Sequence, residues 1–350
     1  MKQDVLALLD EFMQMGEIPG AVVSVSHKGE VILEEAVGYR TIFPDKQPMK
    51  RNTVFDVASL TKVTTTLPAV LLLLERGKLR LDDKASFFLP KMISPDKEAI
   101  TIKHLLTHTS GLPAHRPYYE EKLGKDEVIE RIYQEKLEAP IGEQVIYSCL
   151  GFILLYKIVE TITGERFDRF VEREVFEPLE MTESGFNPDF PRERYAATEY
   201  SEYLNDYKHG VVHDDNAEWM GGVSGNAGLF STVGDLQKIV SMFEQDGVFR
   251  GKRLLSPVTT RLARENLTSF APQHRGLGWD MKSPALSSCG DFFSDKSYGH
   301  TGYTGTSLWI DPEAELSVIL LTNRVHFGRE KPIVRLRPLL HNIVRAHIID

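Results

Sequence analysis

The sequence predicts an α/β (α+β) fold in which one antiparallel sheet, assembled from both chain ends and flanked by helices, adjoins a mainly helical region. Three observations carry this. Strand-like segments sit near the two ends, amphipathic and apolar helical patterns fill the middle, and a long polar stretch from about Phe186 to Val223 reads as loops. The expected organisation is a discontinuous sheet domain from 1–80 and 275–350, with 81–274 as the helical region.

The first eleven residues read as an amphipathic helix; they lack the uninterrupted apolar run and small-residue cleavage site of a signal peptide. Ala21–Ser26 and Val31–Gly38 follow as paired strands, with Gly29 in the turn between them free to take a positive φ. A helix begins near Ser59 and runs through the apolar Leu67–Leu74 stretch toward Gly77, and Pro68 is expected to kink it or confine its start. Thr101 is placed to cap Ile102–Leu106, and Gly111 closes that segment. Lys125–Leu137, Leu150–Ile162, Phe167–Val175 and Asp235–Phe243 have helical spacing. Thr306–Ile310 and Leu316–Thr322 flank the hairpin turn Asp311–Glu315, and a helix over Ile333–Ile348 ends the pattern.

Composition narrows the function classes. The chain has 350 residues, 42% hydrophobic and 26% charged, ample for a large core. Lys and Arg total 41 against 50 acidic residues, a net charge of −9, which argues against a general nucleic-acid or anionic-membrane binder. The longest apolar run contains Pro68 and is too short to span a bilayer. Cys149 and Cys289 make no disulfide framework. The expected location is cytoplasmic unless an export signal was removed, and the expected partner is a small molecule or short peptide.

Chemistry enters at Val57-Ala58-Ser59-Leu60-Thr61-Lys62. Three positions apart on a helix, Ser59 and Lys62 share a face. A lysine there takes the serine proton if burial or nearby positive charge lowers its pKa. The helix N-terminus offers free N–H groups to an oxyanion. Two further segments follow in order: Tyr147-Ser148-Cys149 ahead of an apolar helix, and the glycine-rich Gly299-His300-Thr301-Gly302-Tyr303-Thr304-Gly305.

With these, and with Leu105–Leu112, Val175–Met181 and Gly225–Ser231, nearly the whole chain resembles the serine β-lactamase and penicillin-binding-protein superfamily. It looks most similar to the branch of class C β-lactamases, D-alanyl-D-alanine carboxypeptidases and related esterases. The resemblance implies a β-lactamase/transpeptidase-like fold. It makes Ser59 the nucleophile, Lys62 the lysine that deprotonates it, and Tyr147 the proton shuttle to leaving group and water. The backbone N–H groups of Ser59 and Tyr303 would form the oxyanion hole. Thr301 and Gly302 would border the substrate, and no metal or organic cofactor is implied.

Two positions depart from the family pattern. Cys149 stands where an asparagine is common, and a thiol does not copy a carboxamide. His300 stands where penicillin-recognising members commonly carry lysine; at an ordinary pKa of ~6.5 it is only partly charged and would hold a carboxylate less firmly unless Arg324 helps. The implied activity is acyl-enzyme hydrolysis of an amide, lactam or peptidoglycan-derived peptide. The alternatives are a carboxylesterase and a catalytically idle scaffold. His104 and His108, four apart, lack a third ligand for a metal. His209, His213, Asp214 and Asp215 read as a polar loop lining the cleft, and Cys149 as a small site-lining residue.

Overall fold

A computed structural model of the chain describes residues 1–330 and 333–349. Its main sheet has seven strands: β1 (Gly20–His27), β2 (Glu30–Thr41), β3 (Gln47–Pro48), β4 (Asp280–Met281), β5 (Tyr298–Thr301), β6 (Ser307–Asp311) and β7 (Leu316–Thr322). The order across it is β4-β5-β6-β7-β1-β2-β3, so the segments from the two ends meet where β1 pairs antiparallel with β7, Ala21 opposite Thr322 and His27 opposite Leu316.

The side chains of β1 explain why this sheet is buried on both faces. Alternate residues of a strand point to opposite sides. Ala21, Val23 and Val25 join Val5, Leu9 and Phe12 of helix Lys2–Gln14 and Leu336, Leu340 and Val344 of helix Leu336–Ala346. Val22 faces the other way, into a larger core with Ile319, Leu321 and the central helices. The alternation expected of strands is therefore apolar on both phases at the sheet centre.

The central helix departs from a single kinked rod. It opens as a tight turn at Ala58–Leu60, widens to an i→i+5 turn over Lys62–Thr66, and becomes α-helical at Leu67–Glu75. Pro68 has no N–H to give to the carbonyl four residues back, and the wide turn takes up that register change just before it. The hydroxyls of Thr64 and Thr65 donate to the Leu60 and Thr61 carbonyls, at 2.8 and 2.6 Å. Ala58–Glu75 is apolar and long enough to cross a membrane by composition, but 83% of it is buried inside this fold, where it serves as a core helix.

Thr101 caps Ile102–Leu106 and Ser148 caps Cys149–Thr163, each accepting an N–H of the first turn. The helices Lys125–Gln134 and Leu336–Ala346 are shorter than their expected spans, and Val233–Glu244 extends beyond its expected span at both ends. Phe167–Val171 is α-helical and then widens over Glu172–Phe176. The polar stretch is not all loop: it holds the pair Tyr200–Ser201 with Asp206–Tyr207 and a short helix Asp215–Trp219 capped by Asp214. A small sheet, with Leu229–Ser231 between Phe55–Asp56 and Gly185–Phe186, ties the segment before Ser59 to the middle of the chain.

Candidate active site

The segment leading into Ser59 is bent before it turns helical. Ala58 has a φ of 47°, a left-handed conformation that costs a non-glycine residue roughly 1–2 kcal/mol. The buried Asp56 offsets that cost. Its Oδ1 accepts the Ala58 N–H at 2.8 Å and its Oδ2 accepts the His213 N–H at 2.7 Å. Beyond this bend Ser59 is partly exposed, and Lys62, 0% exposed, lies one turn further on.

Lys62 Nζ donates to Ser59 Oγ at 3.0 Å and to the Asn226 carbonyl at 3.0 Å, and it approaches Cys149 Sγ at 3.6 Å. It also lies over the Tyr147 ring, 5.0 Å from the centroid. Burial alone would push Lys62 toward the neutral amine, but Cys149, Tyr147 and Asp214 outweigh it, and the net direction is upward. The lowering by burial or positive charge that would favour the amine is thus outweighed in the resting site, and the balance favours the ammonium. Its contact with the Asn226 carbonyl is carried by the Gly225-Asn226-Ala227-Gly228 segment. Gly225 is required there, since a Cβ would lie 2.2 Å from the Phe152 carbonyl.

Tyr147 stands in a ring of cations and imidazoles. Arg275 lies 5.4 Å above its ring, His108 packs at 4.6 Å and His300 at 5.8 Å. His300 is buried, with Nδ1 2.8 Å from the Thr301 carbonyl, which makes Nδ1 the proton-bearing nitrogen. Burial, Lys62 and Arg275 hold His300 well below the ordinary imidazole range. It is thus neutral, not partly charged, and supplies no charge to a substrate carboxylate.

The end of β5 is stitched to the bend before Ser59. Thr304 Oγ1 donates to the Asp56 carbonyl at 2.8 Å, and Thr306 Oγ1 to the Val57 carbonyl at 3.0 Å. Gly302 N–H donates to the Thr306 carbonyl at 2.7 Å, and Arg337 Nη2 donates to the Gly302 and Thr306 carbonyls at 2.9 and 3.0 Å. A Cβ on Gly302 would meet Thr306 Oγ1 at 2.1 Å and the Val57 carbonyl at 2.5 Å. Only glycine lets the two segments come so close.

Ser59, Tyr147, His300, Thr301, Gly302, Tyr303 and Arg324 line one open cavity of about 400 Å³. Lys62 and Cys149 lie beside it. Arg275, Arg329 and Arg337 also line it, none of which the sequence pattern singles out. Arg329 is paired with Glu199 and Asp215, and Arg275 is 3.5 Å from Asp280. Burial and Arg324 push Arg337 down to about 9, so it stays a cation at neutral pH. Arg324 is buried, with its guanidinium 4.5 Å over the half-exposed Tyr303 ring.

The 209–215 loop does not line this cavity as expected. It reaches the site indirectly: His213 stacks on Tyr303 at 5.8 Å, and Asp215 holds Arg329. His104 and His108 do not share a helical face. The helix ends at Leu106, His104 completes the Thr101 cap, and His108 turns away at φ 59° toward Tyr147.

The β-lactamase family model matches residues 5–341. The chain belongs to the β-lactamase family. Among curated relatives, it is 33% identical to the N-acetylmuramyl-L-alanine amidase of Bacillus subtilis, over 88% of this chain and 78% of that one. It is also 33% identical to a putative D-alanyl-D-alanine carboxypeptidase of Escherichia coli K12, over 80% and 72%. Among solved structures it is similar to EstCE1, a hydrolase with promiscuous acyltransferase activity. That match has a TM-score of 0.77 and 24% identity, covering 97% of this chain and 98% of that one. The β-lactamase-family chain is a serine hydrolase with the mixed α/β architecture of this group.

Proposed function

We propose that this β-lactamase-family hydrolase cleaves an amide in a peptidoglycan-derived peptide that carries a carboxylate, through an acyl-enzyme on Ser59. The observation that carries the reading is Lys62 Nζ at 3.0 Å from Ser59 Oγ, in contact with Tyr147 and beside the arginine-lined cavity. Ser59 Oγ attacks the carbonyl carbon while its proton passes to Lys62 in the amine form. Tyr147 hands a proton to the departing nitrogen, and the C–N bond breaks to leave an ester on Ser59. Water then attacks that ester, its proton returns through the same pair, and Ser59 regains its hydrogen. The Ser59 and Tyr303 N–H groups receive the developing oxyanion.

Arg337 and Arg324 supply the cationic charge that neutral His300 lacks, and they suit a carboxylate. Asp280, Thr301, Val334 and Arg337 also border a second cavity of about 880 Å³, so the site has room for an extended substrate. Both relatives at 33% identity carry names for cutting cell-wall peptide amides, which supports the same class.

An esterase reading is favoured by one specific feature, Cys149 beside Lys62 in place of a carboxamide that would grip an amide substrate. The test is to incubate the protein with a fluorophosphonate, a penicillin, a muramyl-L-alanyl peptide and a small ester, and to map adducts by mass spectrometry. Ser59 labelling with turnover of the peptide, both lost in Ser59→Ala at unchanged melting temperature, is the expected result. Turnover of the ester alone would favour the esterase. No adduct on Ser59 from any probe would overturn the acyl-enzyme reading.

A further inference from the structure

We propose that His108 is the positioning residue that fixes Tyr147 in the site, an inference that rests on the reading of Tyr147 as proton shuttle. One residue brackets the tyrosine from both sides. The His108 carbonyl accepts the Ile146 N–H at 2.9 Å, and its Nδ1 accepts the Ser148 N–H at 3.0 Å. The backbone on both sides of Tyr147, at the Ile146 N–H and the Ser148 N–H, is therefore anchored to one buried residue, through its carbonyl and its ring. The His108 ring then packs against the Tyr147 ring at 4.6 Å and against Phe152 at 5.2 Å, leaving the tyrosine no freedom on that face.

The left-handed backbone makes this double grip feasible. At a φ of 59° His108 turns its carbonyl and its ring toward the same stretch of chain. The clamp also needs a neutral imidazole, because a proton on Nδ1 would set two donors against each other at Ser148. The surroundings meet that need: His108 is 1% exposed, and burial, Arg275 and Lys62 keep it well below the ordinary imidazole range. The neutral ring carries its proton on Nε2, a buried atom with no hydrogen-bond partner among the described residues. His108 touches the Tyr147 ring and the backbone N–H groups of Ile146 and Ser148, and acts on the reaction through them.

The experiment compares His108→Leu, His108→Asn and Tyr147→Phe in steady-state hydrolysis, with a thermal melt of each. Asparagine tolerates the left-handed region and offers Oδ1 where Nδ1 stood; leucine offers no acceptor. In His108→Leu, kcat per folded molecule is expected to fall ~10- to 100-fold, the scale of a misplaced catalytic group, with KM within about threefold. His108→Asn should recover most of that loss. A purely structural role would lower the melting temperature and leave kcat per folded molecule alone. Full activity in His108→Leu alongside an inactive Tyr147→Phe would overturn the positioning role and leave Tyr147 as shuttle. Full activity in Tyr147→Phe would overturn both. Should His108→Leu fail to fold, His108→Asn against His108→Gln decides. The longer glutamine cannot place its oxygen at the Nδ1 position, so equal kcat in the two would overturn the proposal, and a higher kcat in the asparagine variant would support it.

Discussion

Asp56→Ala is expected to destabilise the protein and slow acylation together, because the same carboxylate supports the bend before Ser59 and the loop behind Tyr303. Its two oxygens accept the Ala58 and His213 N–H groups at 2.8 and 2.7 Å, in a residue 3% exposed. Each buried donor left without a partner costs about 1–3 kcal/mol, so the pair amounts to roughly 2–6 kcal/mol. Against a usual total stability of ~5–15 kcal/mol that is a large fraction. Asp56→Asn keeps one acceptor and turns an amide NH₂ toward the other N–H, so it should lose about half as much. The second part of the loss is local. Without Asp56 nothing offsets the left-handed Ala58, and Ala58→Gly in the Asp56→Ala background should restore about 1 kcal/mol. Guanidinium unfolding followed by circular dichroism gives the stabilities, and the rate of fluorophosphonate labelling gives the state of Ser59. An Asp56→Ala protein within about 0.5 kcal/mol of the parent, with an unchanged labelling rate, would refute the reasoning.

The Lys62 assignment makes a pH prediction with a definite sign. The free site holds Lys62 as an ammonium, its pKa raised on balance by Cys149, Tyr147 and Asp214 against burial, so the amine form grows as pH rises. The hydrolysis rate should therefore climb about tenfold per pH unit below that titration, measured as kcat/KM. A profile flat from neutral into the alkaline range would show that Lys62 acts as a cation and that another group takes the Ser59 proton. Gly302→Ala should abolish turnover and lower the melting temperature, since its Cβ would press on Thr306 and on the Val57 carbonyl. A Gly302→Ala protein with parental kcat would mean that the close approach of β5 to the nucleophile segment is not needed.

What the sequence made legible was what local pattern encodes. The paired strands at each end, the Thr101 cap and the one-turn spacing of Ser59 and Lys62 follow from periodicity and residue chemistry over a few positions. β4 was not legible, because two residues, Asp280 and Met281, have no period to show. Helix Asp215–Trp219 was hidden in a polar stretch for the same reason. The wide turn over Lys62–Thr66 is a response to Pro68 and to packing, not a preference of those five residues. Arg275 and Arg337 reach the cavity from segments with no motif of their own, and only the fold gathers them beside Arg324. His108 lies within the Leu105–Leu112 segment that carries the family resemblance, yet its place beside Tyr147 depends on a left-handed φ that its neighbours in sequence do not announce.

The electrostatics of the site follow from how these pieces are gathered. A buried lysine, two deeply buried histidines and Arg275 crowd one tyrosine, and such crowding would be costly if every group were charged. The cost is avoided by dividing the roles. His108 and His300 stay neutral and serve as hydrogen-bonding rings, while Cys149, Tyr147 and Asp214 outweigh burial and favour the charged form of Lys62. Arg337 spends two of its donors on the Gly302 and Thr306 carbonyls, so the guanidinium that lines the cavity also fixes the turn between β5 and β6. A lysine in place of His300 would add a cation next to Lys62 and Arg275. Neutral His300 and the arginines thus divide the site: positive charge lines one side of the cavity, and the uncharged ring beside Tyr147 adds no further cation next to Lys62 and Arg275.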